Sequence, residues 1–136
     1  MHKKTLFLTM LFVLALFLMG CGTTAQNQEP RVEMNKEVNG LKISMVTNKI
    51  PGANPVILKV MDSQGKPVKN LTIEGELSMP SMVMQGYPQK IDFNGDGDQY
   101  TSLLQIPHGG QWRVELSIHQ GSEPAVKVPL DFTINQ

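Results

Sequence analysis

From Gly40 onward, apolar and polar residues take turns with period two, the signature of a half-buried β-strand. The pattern is clearest at Trp112, Val114, Leu116 and Ile118, with Arg113, Glu115, Ser117 and His119 between them. It returns at Val126, Val128, Leu130, Phe132 and Ile134. Leu41, Ile43 and Met45 share one face, as do Leu71, Ile73, Leu77 and Met79. Tyr100, Leu104 and Ile106 form a further set, and Ile91 and Phe93 mark a short strand. Val56–Met61 is more continuously apolar and reads as a central strand. No stretch in this region repeats near 3.6 residues.

Turn chemistry falls between these runs. Asp62-Ser63-Gln64-Gly65-Lys66-Pro67, Asn94-Gly95 with Asp96-Gly97, His108-Gly109-Gly110 and Gly121-Ser122-Glu123-Pro124 supply residues that tolerate tight turns. About seven short strands, each with one apolar face, predict an all-β domain of two antiparallel sheets packed face to face over residues 38–136. Trp112 is expected in its core.

The start of the chain has a different pattern. Lys3 and Lys4 precede an almost wholly apolar run from Leu6 to Met19, followed by Gly20 and Cys21. A basic start, a short apolar stretch and a small residue describe a secretory signal over residues 1–20. The run is shorter than the roughly 18 residues a spanning helix needs. Leu18-Met19-Gly20-Cys21 resembles the lipobox of bacterial lipoproteins. Gly20 would let a peptidase approach the backbone, and Cys21 would carry a diacylglyceryl group as a thioether. Each buried acyl CH₂ contributes about 0.8 kcal/mol, so two or three chains hold a protein firmly on a membrane. Cys21 is the single cysteine, so no internal disulfide is available. Residues 22–37 are polar and read as a tether reaching on the order of 20 Å. The expected setting is the extracytoplasmic side of a cell membrane.

Charge then narrows the partners. Without residues 1–20 the chain keeps ten basic against twelve acidic residues, a net charge of −2. That balance gives no basic face for nucleic acid.

Three stretches together carry a family likeness: Asp62-Ser63-Gln64-Gly65-Lys66-Pro67-Val68, then Met79-Pro80-Ser81-Met82-Val83-Met84, then Gly97 and Tyr100 through Gly110-Gln111-Trp112-Arg113-Val114. In this order and spacing they resemble the YtkA-like domain, related to the extracytoplasmic part of FixH, over roughly residues 40–135. The resemblance implies an immunoglobulin-like β-sandwich, often on a lipoprotein, and an association with copper handling or respiratory oxidase assembly. Many members carry a His beside the M-P-x-M element, where Val83 and Met84 stand here.

Met79, Met82 and Met84 lie within six residues. Thioethers are soft donors that suit Cu(I). On an extended segment Met82 and Met84 would share a side, about 6.6 Å apart. Pro80 could turn Met79 toward them, and His108 could add a nitrogen. A second reading stays open: Met79 continues a core face, while Met82 and Met84 form a soft patch through which a metal-free module docks onto a membrane protein complex.

Other motifs carry less. Asp92-Phe93-Asn94-Gly95-Asp96-Gly97 begins like a calcium loop, but its twelfth position is Leu103 rather than Glu. Asp96 to Tyr100 fits a turn entering a strand. His119 stands on a polar strand face. No nucleophile spacing, phosphate-binding glycine loop or carboxylate pair suggests catalysis, so the expectation is a protein that is not an enzyme.

Overall fold

The computed structural model describes residues 29–136. They form eight strands: β1 Arg31–Val38, β2 Leu41–Asn48, β3 Gly52–Met61, β4 Thr72–Ser78, β5 Gln89–Asp96, β6 Gln99–Ile106, β7 Gly110–His119 and β8 Val126–Ile134. Among the described residues there is no helix long and apolar enough to cross a membrane. All neighbours run antiparallel, in the order β1-β2-β3-β6-β5-β4-β7-β8. The two edge strands approach one another, and Lys36 Nζ on β1 donates to the Pro129 carbonyl on β8 at 3.4 Å. The sheet is thus nearly closed and barrel-like rather than the two separate layers the alternation suggested.

Strand β5 makes the curl possible. Its first part, through Phe93, pairs with β4, whereas Asn94, Gly95 and Asp96 pair with β6. One strand therefore serves two partners in succession, which turns the corner of the sheet. Asn94-Gly95 is accordingly strand and not turn. The reversal is the two-residue Gly97-Asp98, with Gly97 at φ 64°.

The strand count exceeds the expected seven by one. The extra strand, β1, lies where a tether through residue 37 was expected, so the folded domain begins near residue 31. Val32, Met34 and Val38 fall on its inward face, and Met34 is buried. Charged residues between them mask a period-two pattern that pairing with β2, Arg31 opposite Asn48 through Val38 opposite Leu41, makes plain.

The inward positions named from the alternation are buried, except Leu41 and Val126 at strand ends, which are half-buried against the core. Ile43, Met45, Val56, Leu58, Val60, Ile73, Leu77, Leu104, Ile106, Trp112, Val114, Leu116 and Ile118 are at most 2% exposed. Strand β3 is central, between β2 and β6, but only one of its faces is buried: Ile57 is 36% exposed and Lys59 lies outward.

Candidate functional site

The alternating direction of the strands sorts the connections onto two ends of the barrel. The β2–β3, β4–β5 and β6–β7 loops share one end with the start of β1 and the end of β8. Backbone bonds tie this end together: Lys49 N–H donates to the Pro30 carbonyl at 2.6 Å, and Asn135 N–H to the Lys49 carbonyl at 3.0 Å. Met79, Met82, Met84 and His108 are all here.

Their surroundings differ. Met79 follows β4, continues its inward face and is 8% exposed. Its methyl group packs against Gly110, whose φ of 136° is poorly suited to any residue with a Cβ. That placement makes Met79 a core residue. The segment after it is not extended, contrary to expectation. Met82 N–H donates to the Met79 carbonyl at 3.1 Å and Tyr87 N–H to the Met84 carbonyl at 3.2 Å, so two successive turns bend it. The bend separates the environments of the other two thioethers. Met82 is 56% exposed, with Val83 beside it fully exposed, while Met84 is half-buried against the core.

Trp112 organises this end. Its side chain is fully buried, and its indole N–H donates to the His108 carbonyl at 3.2 Å. The Tyr87 and His108 rings lie against it, with centroids 5.4 Å and 5.6 Å away in tilted geometry. Tyr87 is a residue that sequence reasoning missed. It closes the methionine loop by donating its hydroxyl to the Gln105 carbonyl at 2.7 Å, and partial burial raises its pKa. A shallow cavity of about 410 Å³ lies beside it, lined by Pro51, Gly52, Tyr87, Gln105, Ile106 and Pro107.

His108 is exposed, and its Nδ1 sits 2.8 Å from the Gly109 carbonyl. A carbonyl can only accept, so this contact favours the tautomer with the proton on Nδ1. The Nε2 lone pair is then free, the usual state of a metal-ligating imidazole. Gly109 is required there, since a Cβ would meet the Asn135 carbonyl at 2.8 Å. Among the described residues no three His, Cys, Asp or Glu side chains gather as a metal site. The methionine loop and His108 offer soft sulfur and one imidazole nitrogen. Cys21 and the signal segment lie outside the described residues. His119 stands at the end of β7, opposite Thr72 and away from this cluster.

At the other end Tyr100 opens β6. Its hydroxyl donates to the Val68 carbonyl at 3.0 Å and accepts from Leu71 N–H at 3.1 Å. The Asp96–Tyr100 segment is thus a structural corner that pins the β3–β4 connection.

The geometry defines a class: a small antiparallel β-barrel with a methionine- and histidine-bearing end. The chain belongs to the YtkA-like family, whose profile matches residues 35–117. No curated protein sequence matches it. Among solved structures it is similar to a DUF4426 family protein from Pseudomonas aeruginosa PAO1, at 11% identity and a TM-score of 0.56, covering 75% of this chain and 94% of that one. It is also similar to a copper-bound variant of FetP from uropathogenic Escherichia coli strain F11. There the identity is 13% and the TM-score 0.56, with 79% of this chain and 97% of that one covered. At these identities the likeness is one of fold.

Proposed function

We propose that this protein is a membrane-anchored extracytoplasmic lipoprotein whose β domain binds a metal ion, or helps deliver one, with Cu(I) the best match to its donors. The reading takes Cys21 as the acylated residue. It assigns no catalytic role. One observation carries the metal assignment: Met82, Met84 and His108 occur at one end of the barrel, and the Nδ1 contact of His108 leaves Nε2 available. Two thioethers and an imidazole are a donor set that favours Cu(I) over harder ions. Met79 is the weakest member, because its methyl is packed into the core. Membership of the YtkA-like family and the copper-bound state of FetP support the same reading.

The bound ion would supply redox-active or transferable copper. The chain's own part is to present soft donors at an exposed loop while Trp112, Tyr87 and Gly110 hold the base of that loop still. Competition for Cu(I) against a chelator tests this. Wild type should withhold copper, and a Met82→Leu/Met84→Leu variant should lose most of that capacity. Its stability should change by less than about 1.5 kcal/mol, since the swaps nearly conserve volume. Equal weak affinity in both would end the metal reading.

A second reading has its own support in the exposure of Met82 and Val83. The loop would then be a metal-free docking patch for a membrane protein complex, and capture of that complex would not respond to copper supply.

A further inference from the structure

We infer that the barrel end bearing the methionine loop rests on the lipid bilayer, with Met82 and Val83 inserted among the headgroups; this rests on the reading of Cys21 as the acylated residue. Three independent features point the same way. The first is position. Pro30 enters the barrel at this end, fixed by its bond to Lys49 N–H. Pro30 lies nine residue steps from Cys21, a span of at most about 32 Å when fully extended. The eight-residue strand β1 then carries the chain away from that point, placing the opposite end about 27 Å further off.

The second feature is apolar exposure. Among the described residues the large hydrophobic side chains most open to solvent are Val83 at 101% and Met82 at 56%. They are adjacent, at the tip of a loop. Leu103 at 50% and Ile57 at 36% lie instead on the outer wall of the barrel. A pair of apolar side chains on a protruding loop suits shallow insertion at the headgroup boundary.

The third is charge. The loops 49–51, 79–88 and 107–109 contain no carboxylate and one lysine, Lys49. Glu29 precedes β1 at this end, held by a bond from Asn48. The opposite loops hold three carboxylates, Asp62, Asp98 and Glu123, beside Lys66 and Lys69, and Lys69 is paired with Asp98. An anionic bilayer repels carboxylates and attracts lysine. The end that lacks carboxylates in its loops is the one that can approach it.

The test uses the full-length, lipid-modified protein in vesicles of phosphatidylcholine and phosphatidylglycerol. Val83→Cys and, at the opposite end, Ser122→Cys each receive an environment-sensitive fluorophore; acylation keeps Cys21 from reacting. Label at 83 should shift to the blue and be quenched by spin-labelled lipid, while label at 122 should do neither. Both positions are exposed, so neither substitution threatens the fold. Equal, water-like emission at both sites would overturn the orientation. So would a shift at 83 that needs added membrane protein, since the loop would then dock on protein. A mass spectrum of the same material separates the two levels. Acylated Cys21 with label 83 in water leaves the anchoring intact and removes this inference. A bare thiol removes both.

Discussion

The two ends of the barrel are built on opposite plans. The end holding Tyr100 is closed on itself. The Asp62 carboxylate accepts from Gln64 N–H and Lys66 N–H at 2.8 and 2.9 Å, and Tyr100 ties Val68 to Leu71. Lys69 and Asp98 add an ion pair at 2.6 Å. The turn backbone there is tied by its own side chains, and no large hydrophobic side chain is left open. The methionine end has a firm base and an unsatisfied tip. Trp112, Tyr87 and Met79 anchor the ten residues of the 79–88 loop, but Met82 and Val83 face outward with nothing to cover them. Selection for stability alone explains the first arrangement. The second exposes soft and apolar groups that fold stability does not require, as expected of a surface that meets something else.

The base of the methionine end depends most on Trp112. Trp112→Ala removes the largest fully buried side chain and should cost about 3–5 kcal/mol, read as a lower denaturant midpoint. It should also weaken Cu(I) retention in whatever fraction stays folded, because Tyr87 and His108 lose the ring they lean on. A variant that keeps full copper affinity would show that the site does not depend on this base.

Tyr100→Phe should sharpen the contrast. The ring stays in the core, but the amide of buried Leu71 loses its acceptor, at a cost of about 1–3 kcal/mol. Copper retention should be untouched, since the corner lies at the opposite end. A drop in affinity comparable to the drop in stability would mean the ends are coupled, and the division drawn here would fail.

Much of this was legible in the alternation. Strand faces need only period two, and tertiary packing confirmed the assignments because one face had to be buried. β1 escaped notice because Lys36 occupies what would be an apolar position and Glu33, Asn35 and Glu37 dominate its composition. Asn94-Gly95 looks like a turn locally, yet pairing with Thr101 and Tyr100 overrides that preference. For the site, residue types pointed to the methionines and His108, while their separate environments depended on two backbone turns that spacing does not encode. Tyr87 gave no signal, because its role comes from packing on Trp112, 25 positions along the chain.

The smallest expected effect compares one ion pair at each end. At the methionine end Arg113 faces Asp131 across β7 and β8, donating from Nε at 2.7 Å and from Nη2 at 3.1 Å. The hydrogen bond from Arg113 is the main reason the Asp131 carboxyl ionises below its usual range, and at the other end the bond to Asp98 raises the Lys69 pKa. Both pairs are largely open to solvent, so salt screens them and neither should matter much. The sign still separates them. A carboxyl with a lowered folded-state pKa contributes stability above its ordinary value and loses it as pH falls through the lowered one. A lysine with a raised pKa contributes below its ordinary value and loses it as pH rises through the raised one. Asp131→Asn should therefore lower Tm slightly at neutral pH and low salt, with the gap from wild type closing in strong acid. Lys69→Gln should show its small gap closing in strong base. Thermal melts across pH check both. A large, salt-insensitive effect at Asp131 would mean that this pair is shielded from water, as it would be if the end of the barrel beneath it were covered.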